Sequence, residues 1–332
     1  MNGISLKRVK QILSKFKNRR ILVIGDLMLD RFVWGKVSRI SPEAPIPVVE
    51  VQSVSSMPGG AANVVNNICT LGGNGAIAGV AGKDNDGLEL SQQLKKRGAD
   101  INGLILSPKI ETVVKTRVIA HHQHVVRIDR DHSLDGDETV SEKLMTYLGK
   151  NASNADAIIL EDYGKGVLTD ELIRKSSQLA KKRGCIVTAD PKIEHDLDFS
   201  GITAITPNLA EACYFAGKNI KRIKDIEEVG NILLQKWKGT SILVTLGEKG
   251  MCLFENNMKP RHIIAKPKDV FDVAGAGDTV IATLTLALAS GASLYESAII
   301  ANIAAGIVVQ KSGVNTVTCK EIAEAAEMEL KA

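Results

Sequence analysis

The stretch Asp272–Thr279 reads DVAGAGDT and runs directly into an apolar segment, Val280–Ala289. Gly275 and Gly277 let the main chain approach an anion closely, and a helix that follows would point its free N–H groups and positive dipole end at it. Asp278 stands in this predicted anion site, where its charge repels phosphate unless it accepts a proton from an attacking hydroxyl. The pattern indicates phosphoryl transfer. The alternative is a glycine-rich turn in which Asp278 only caps a buried helix.

Length and composition are compatible with a large globular enzyme. The chain has 332 residues, 44% of them hydrophobic, enough for one large α/β domain with or without a small appendage. A formal charge of +4 argues against a nucleic-acid or membrane surface but is compatible with anionic small substrates. The cysteines are widely spaced and form no CxxC pair, so we expect reduced thiols, without zinc or disulfides. Neither a secretory signal nor a membrane-spanning stretch is apparent, and a cytoplasmic protein is predicted.

Short apolar segments alternate with helical patterns such as Leu6–Phe16, which predicts a mostly parallel sheet covered by helices on both faces. The predicted strands are Arg20–Gly25, Ala76–Ala81, Ala157–Leu160, Ile186–Ala189, Ala204–Thr206 and Ser241–Thr245. Ligands bind beyond the carboxyl ends of such strands, so polar residues that follow the strands are expected at one edge. These residues are Asp26, Glu161, Asp162, Asp190, Lys192, Asn208 and Gly247.

Two segments interrupt this alternation. Phe32–Ser55 is rich in proline and β-branched residues, and Thr112–Asp129 alternates apolar and polar residues with a period of two. We expect them to form a small sheet over about residues 32–57 and 110–130, projecting from the core as a lid that excludes water from the reaction. The alternative is an additional antiparallel edge on the main sheet.

Three shorter motifs are ambiguous when taken singly. Pro58–Asn67 (PGGAANVVNN) allows close approach of a ligand at its paired glycines, and Asn63 can bind sugar hydroxyls. In TPNLAEA, Asn208 and Glu211 lie on one helix face, suited either to a hydrated Mg²⁺ or to a capping box. TLGEKG, from Thr245, is either a platform for a nucleotide or a simple hairpin turn.

The order of these motifs resembles that of the ribokinase-like (PfkB) family of sugar kinases over essentially the whole chain, and this resemblance implies a single ribokinase-like α/β domain with a lid. Asp278 would then be the base that deprotonates the substrate hydroxyl, and the main chain of Ala274, Gly275, Ala276 and Gly277 would form the anion hole. Asn208 and Glu211 would organise Mg²⁺ through water. The remaining implied contacts are Lys192, Thr245, Gly247 and Gly250 for ATP, and Asp26, Asp30, Gly59, Gly60 and Asn63 for the sugar. Asp272, with the carbonyls near Lys311 and Gly313, is where K⁺ would bind, as it does in some members. The family usually has Thr where this chain has Val273 and Ala274, which removes a hydroxyl contact near the nucleotide.

A narrower resemblance lies in Ile24–Val49, Lys115–Asp129 and Glu161–Thr169, whose sequences are similar to kinases of D-glycero-β-D-manno-heptose 7-phosphate. It implies phosphorylation of the anomeric hydroxyl to the 1,7-bisphosphate, on the way to ADP-heptose for lipopolysaccharide. Many such kinases are fused to a nucleotidyltransferase domain with an HxGH motif. No HxGH occurs here, so we expect no adenylyltransferase domain and a separate protein for that step.

A substrate that already carries a 7-phosphate requires cations away from the reacting hydroxyl. The candidates are Arg39, Lys115, Arg117, Arg127 and Lys165. His121, His122 and His124 are more simply explained as a solvated strand face than as a metal site. A homodimer through the lid is expected, because an exposed sheet face invites pairing. The alternatives are a kinase for another sugar, a non-catalytic sugar-binding regulator, and a dinucleotide oxidoreductase. A dinucleotide oxidoreductase would require a GxGxxG turn after the first strand, and this chain has GDLMLD there instead.

Overall fold

The computed structural model describes residues 4–121, 123–134, 138–193, 195–220, 225–266, 270–311 and 313–331. Its strands are β1 (Arg20–Gly25), β2 (Leu27–Ile40), β3 (Pro47–Gly60), β4 (Asn74–Gly82), β5 (Asp100–Ser107), β6 (Val113–Ala120), β7 (Gln123–Arg130), β8 (Ala157–Glu161), β9 (Ile186–Asp190), β10 (Ala204–Ile205), β11 (Ser241–Thr245), β12 (Met251–Phe254) and β13 (Arg261–Ile263). Its helices are α1 (Leu6–Leu13), α2 (Ala61–Thr70), α3 (Asn85–Lys96), α4 (Glu138–Asn151), α5 (Asp170–Arg183), α6 (Leu209–Phe215), α7 (Ile226–Lys236), α8 (Ala276–Ala289), α9 (Leu294–Val308) and α10 (Cys319–Lys331).

Within the described residues, the main sheet has nine strands in the order β13-β12-β11-β10-β9-β8-β1-β4-β5. The strands from β11 to β5 in that order pair in parallel, while β12 and β13 are antiparallel at one edge. All six predicted strands are present, which confirms the mostly parallel sheet. The strands β5, β12 and β13 were not predicted; they lie towards the edges of the sheet, where shorter or interrupted apolar runs suffice.

The alternation of side chains along β1 explains how one strand serves two cores. Ile21 and Val23 pack into a core with α1, α2, α8, α9 and α10. Leu22 and Ile24 point the other way, into a core with α4, α5, α6 and α7. Successive side chains on a strand face opposite sides of a sheet, so a continuous apolar strand must be covered by helices on both faces.

The two interrupting segments form a separate four-stranded sheet in the order β3-β2-β6-β7, so they are not an added edge of the main sheet. β2 pairs with β3 in an antiparallel and with β6 in a parallel arrangement. The lid strands begin and end a few residues beyond the predicted bounds, since β2 starts at Leu27 and β3 continues to Gly60. Arg31 and Arg130 both form ion pairs with Asp86 of α3, which ties this lid sheet to the main domain.

Helix α8 is buried along most of its length, from Asp278 to Ala287. It lies beside β8 and β9 and packs against α2 and α9. A helix that is apolar on all sides belongs in a core, so the first turn of α8 is held firmly at the sheet edge. In the described part of the chain, no helix combines the length and apolar character needed to cross a membrane.

Candidate active site

The carboxyl ends of the parallel strands and the first turn of α8 meet at a cleft of about 540 Å³. The loops that follow parallel strands all leave the sheet at the same edge, so residues far apart in sequence come together there. The lining comes from the ends of β8, β9, β10 and β11 and from the starts of α6 and α8. Its polar side chains and glycines are Asp162, Tyr163, Asp190, Lys192, Thr206, Asn208, Glu211, Thr245, Gly247, Gly275, Gly277 and Asp278.

Asp278 lines this cleft at the start of α8 and is only 4% exposed. Its Oδ2 accepts a hydrogen bond from Asn63 Nδ2 at 2.6 Å, and its Oδ1 accepts one from the Tyr163 hydroxyl at 2.8 Å. Burial raises the pKa of Asp278 to about 6, although both hydrogen bonds and nearby Lys115 favour the ionised form. Such a group is ionised at neutral pH yet is a stronger base than an ordinary aspartate.

The main chain before Asp278 has the geometry of an anion site. Gly275 adopts a left-handed conformation with φ of 77° immediately before α8, and a Cβ added there would lie 2.9 Å from Asn63 Nδ2. Among the described residues, the N–H groups of Gly277 and Asp278 have no main-chain or side-chain acceptor. Free amides in the first turn of a helix attract a phosphoryl group through hydrogen bonds and the helix dipole.

Helix α2 brings Asn63 to Asp278 and also anchors α8. Asn63 and Asn67 lie one turn apart on the same face of α2, and Thr279 Oγ1 donates to Asn67 Oδ1 at 3.0 Å. Asn63 Oδ1 is buried and has no partner among the described residues, so it can accept from an incoming hydroxyl. Asn63 was predicted as a site residue, whereas Asn67, which the PGGAANVVNN motif also contains, was not.

Tyr163 was also missed as a site residue. Its hydroxyl contacts Asp278, and its main-chain N–H donates to Asp26 Oδ2 at 2.8 Å. The signal was present in the Glu161–Thr169 motif, where an aromatic residue follows two carboxylates at a strand end. A tyrosine with a buried hydroxyl usually needs an acceptor, and a carboxylate at the same sheet edge is the natural one.

Asp26 is not available to a sugar in this structure. It is fully buried, and its carboxylate accepts the N–H groups of Tyr163, Lys165 and Val167 at 2.8, 3.0 and 3.1 Å. Burial raises the pKa of Asp26, against the effect of these three bonds. Asp26 therefore holds the loop after β8 in this geometry, in place of the sugar contact that the family resemblance implied.

The inner face of the lid sheet lies over the start of α8, because Phe32 and Ile119 of the lid pack with Val314 and Ala274 of the main domain. Asp30 stands on this face in an ion pair with Arg117. Asp30 is 6% exposed. A Cβ on Gly59 would collide with the Asp30 carboxylate, while Gly60 is left-handed with φ of 58°. These glycines let β3 pass close to Asp30, and the predicted residues Asp30, Gly59, Gly60 and Asn63 are brought together.

The five candidate cations are dispersed. Lys115 lies 5.4 Å from the centre of the Tyr163 ring, and burial lowers its pKa. Lys165 Nζ is 3.2 Å from Asp131 Oδ1. Lys115, Arg117 and Lys165 therefore lie around the Asp278 site, on the lid and on the loop after β8.

Arg127 and Arg39 do not join this group. Arg127 is exposed on β7 and pairs with Asp129. Arg39 is exposed on β2, nine residues beyond Asp30, which places it about 30 Å away along the strand. Within one chain, strand length alone removes Arg39 from the site.

The opposite side of the cleft contains the predicted nucleotide residues. Lys192 Nζ lies 3.7 Å from Glu211 Oε1. Thr245 ends β11, and a single turn over Gly247–Lys249 leads into β12. Gly250 has φ of 88°, and a Cβ there would strike the main chain at Ile263. Gly247, by contrast, faces open space.

Asn208 and Glu211 form the capping box of α6 that was the alternative to a metal site. The Asn208 side chain accepts from the Glu211 N–H at 3.0 Å, and Glu211 Oε2 accepts from the Asn208 N–H at 2.9 Å. Two of their oxygens are thus engaged, while Asn208, Glu211 and Asp190 still line the cleft. This oxygen-rich wall fits a Mg²⁺ ion that retains its waters better than one bound directly by protein ligands.

Among the described residues, no group of three or more His, Cys, Asp or Glu side chains is arranged to hold a metal. His121 contacts the main chain of Val37, and His124 lies on the exposed strand β7, while His122 is outside the described residues. Asp272 Oδ1 accepts from the Ala274 N–H at 2.9 Å, and its own N–H donates to Val309, near Lys311 and Gly313.

Glu161, which is buried, and Asp190, which lines the cleft, were predicted at this edge of the sheet but were given no role in the site. Neither carboxylate oxygen of Glu161 has a partner among the described residues. Burial, followed by the charges of Asp190 and Asp278, raises the pKa of Glu161 far above its usual value. Burial also raises the pKa of Asp190 strongly, which Thr206 opposes through a 2.8 Å hydrogen bond. Both shifts disfavour the ionised forms of these carboxyls, because each is buried from water and faces other negative charges at this edge.

Comparisons with known proteins agree with this geometry. Residues 18–321 match the model of the "pfkB family carbohydrate kinase". The protein named "Bifunctional protein HldE" from Desulfatibacillum aliphaticivorans is 42% identical over 309 residues, covering 93% of this chain and 63% of that protein. The protein of the same name from Haemophilus influenzae (strain ATCC 51907 / DSM 11121 / KW20 / Rd) is 42% identical over 315 residues, covering 95% of this chain and 65% of that protein. The chain thus spans less than two thirds of these relatives.

Solved structures share the fold at low sequence identity. A putative ribokinase from Agrobacterium tumefaciens gives a TM-score of 0.77 at 19% identity, covering 95% of this chain and 99% of that one. Phosphofructokinase-2 from Escherichia coli in complex with potassium gives a TM-score of 0.76 at 18% identity, covering 93% and 98%. The fold is ribokinase-like, and the chain belongs to the pfkB family of carbohydrate kinases.

Proposed function

We propose that this chain is an ATP-dependent kinase that phosphorylates the anomeric hydroxyl of D-glycero-β-D-manno-heptose 7-phosphate. The product would be the 1,7-bisphosphate, an intermediate on the way to ADP-heptose for lipopolysaccharide. The observation that carries the kinase assignment is the buried Asp278, with its raised pKa, beside the free amides at the start of α8. The heptose assignment is supported by the similarity of Ile24–Val49, Lys115–Asp129 and Glu161–Thr169 to heptose 7-phosphate kinases.

In this mechanism the Asp278 carboxylate accepts the proton of the anomeric hydroxyl. The sugar oxygen forms a bond to the γ-phosphorus of ATP while the bond from that phosphorus to the β–γ bridging oxygen breaks. ADP leaves, and the proton passes from Asp278 to solvent. The amides of Gly277 and Asp278 would stabilise the charge on the moving phosphoryl group, and Gly275 would let it approach the main chain closely. The Ala276 N–H already donates to the Val273 carbonyl at 3.2 Å, so Ala276 would shape this turn without donating to the phosphoryl group.

The triphosphate would lie along the cleft between α8 and the ends of β9 to β11. Lys192 would contact its phosphates, and the turn at Gly247 would approach the nucleotide closely because a side chain is absent there. Thr245 and Gly250 would shape this turn. When bound, Mg²⁺ neutralises phosphate charge, and Asn208 and Glu211 would hold it through water. A K⁺ ion would bind beside Asp272, near Lys311 and Gly313.

The sugar would bind under the lid on the other side of Asp278. Asp30 and Asn63 would accept its hydroxyls, since Asp30 faces inward and Asn63 Oδ1 lacks a partner among the described residues. Lys115, Arg117 and Lys165 would attract the 7-phosphate, because they are the candidate cations near the site. Arg117 would have to exchange part of its contact with Asp30 for the phosphate.

A homodimer through the lid is also proposed. Val51 and Val54 of β3, and Val126 and Ile128 of β7, are 48–58% exposed, and both strands are edges of the lid sheet. Exposed apolar edge strands favour pairing with a second copy. A purely monomeric species in sedimentation velocity would contradict the dimer.

A cytoplasmic location is proposed from the five free cysteines and the need for ATP, and cell fractionation tests it.

The deciding experiment is a ³¹P NMR assay with ATP, Mg²⁺ and the heptose 7-phosphate, using unphosphorylated heptose and other sugar phosphates as a matched panel. We expect a new anomeric phosphate signal in step with ADP release, and turnover much faster than with the unphosphorylated sugar. Turnover confined to another sugar would refute the heptose assignment. Absence of phosphoryl transfer to any sugar would refute the kinase mechanism and favour a non-catalytic regulator.

A further inference from the structure

Tyr163 is in contact with three parts of the site at once. Its hydroxyl donates to Asp278 Oδ1 at 2.8 Å, and its ring lies 5.4 Å from the Lys115 ammonium. Its main-chain N–H is one of three that bind the buried Asp26 carboxylate. The loop after β8 is therefore fixed by Asp26, and the tyrosine side chain extends from it between the lid and α8.

We infer that Tyr163 is a positioning residue for phosphoryl transfer: its hydroxyl orients the Asp278 carboxylate and favours its ionised form, and its ring seats Lys115. This inference rests on the proposed function of Asp278 as the base. A hydrogen bond from a neutral donor to a carboxylate is stronger than one between neutral groups, and it stabilises the charged state. The bond thus offsets part of the cost of burying an ionised Asp278.

The hydroxyl can keep this role over the working pH range. Burial, and then the charge of Asp278, raises the pKa of Tyr163 well above its usual value, so the hydroxyl retains its proton. Asn63 supplies the second donor, to Oδ2. Two donors on different oxygens fix both the position and the rotation of the carboxylate, which one donor would leave free to turn.

The position of Lys115 adds a separate consequence. Its ammonium lies over the Tyr163 ring and also favours the ionised form of Asp278. A phenyl ring in place of the phenol keeps this cation–π contact, while an aliphatic side chain removes it. The two functions of Tyr163 can therefore be separated by substitution.

The test compares Tyr163→Phe and Tyr163→Leu with a control, Tyr147→Phe. Tyr147 is a suitable control because its hydroxyl is buried but has no hydrogen-bond partner among the described residues. We expect Tyr163→Phe to lower kcat by about 10- to 100-fold with little change in the KM for the sugar phosphate. Tyr163→Leu should lower kcat similarly and also raise that KM. The control should match the wild type, and thermal melts establish that each variant is folded.

The pH profile distinguishes positioning from simple packing. Because Asp278 must be ionised to accept a proton, kcat/KM should rise with pH through its pKa. Removing the Tyr163 hydroxyl should move this acid limb upward by about one pH unit. An unmoved limb with kcat within about twofold of wild type would overturn the inference, as would an equal loss in Tyr147→Phe.

A substrate-free measurement separates this inference from the proposed function. The protein is labelled with ¹³C at the aspartate carboxyl, and the Asp278 signal is assigned by its loss in Asp278→Asn. We expect the Asp278 pKa to be higher in Tyr163→Phe than in wild type, whichever sugar the enzyme uses. Equal titrations would overturn the role of Tyr163 even if the heptose is phosphorylated. Failure of the heptose assay with a shifted titration would refute only the proposed substrate.

Discussion

Replacing Asp278 by asparagine should abolish most of the activity and make the protein more stable. The pKa of this carboxyl is raised from 3.8 to about 6, mainly by burial. The folded state therefore tolerates the ionised form less well than the unfolded state does. The difference of roughly 2 pH units corresponds to about 3 kcal/mol of unfolding free energy at neutral pH.

The direction of the pH dependence follows from the raised pKa. Below pH 3.8 the carboxyl is protonated in both states, so it imposes no penalty on the folded protein. As pH rises towards 6, the unfolded state ionises more readily and the stability contributed by the protonated group is lost. Asparagine does not titrate. The stability gain of Asp278→Asn should therefore be small near pH 4 and reach its full size above about pH 6.5.

The hydrogen bonds of Asp278 reduce this gain only partly. The asparagine oxygen can still accept from the Tyr163 hydroxyl. The new amide would face the Asn63 amide, but Asn63 Oδ1 lacks a partner among the described residues, so the Asn63 side chain can rotate to accept from it. We expect a net gain of about 1–3 kcal/mol.

The assay is urea unfolding of wild type and Asp278→Asn at several pH values, alongside kinetics. Asp198→Asn is a matched control, because Asp198 is exposed and its contact with the Ser200 N–H survives the change. The kcat of Asp278→Asn should fall by about 10³-fold or more with substrate affinity mostly intact. A variant less stable than wild type at pH 8, or one that retains a tenth of the activity, would refute the reasoning.

Two further predictions concern the lid and the anion site. Arg117→Ala should raise the KM for a phosphorylated sugar by about tenfold or more and destabilise the fold by about 3–5 kcal/mol, because the buried Asp30 loses its partner. Equal effects in kinetics and melts from Arg127→Ala, whose Arg127 side chain is exposed, would contradict this prediction. Gly275→Ala should lower kcat by about tenfold or more, because the new Cβ would press on Asn63 Nδ2 as well as strain the backbone. Gly291 has a similar φ of 84°, but a Cβ added there would meet open space, so Gly291→Ala is the control. A comparable loss of activity in this control would attribute the effect of Gly275→Ala to backbone strain alone.

The sequence alone determined the architecture and the main elements of the site. Apolar strands such as Arg20–Gly25 are buried on both faces, and their periodicity requires a sheet covered by two helical layers. The glycines before Asp278 and the apolar run after it likewise specify a buried helix with an open first turn. These features are local, because they depend on the conformations and burial of neighbouring residues. The placement of Asp278 at a cleft was predictable for the same reason.

Only the tertiary structure decided which polar groups meet. Tyr163 and Asn63 lie 115 and 215 residues from Asp278 in sequence, and nothing in local spacing pairs them with its two oxygens. Asp26 and Asp30 both come soon after β1. The Asp26 carboxylate accepts main-chain N–H groups, whereas Asp30 pairs with Arg117 on the neighbouring lid strand. A carboxylate's task depends on which donors surround it and how far it is removed from water. Burial and distant contacts set both, and they exist only once the chain has closed on itself.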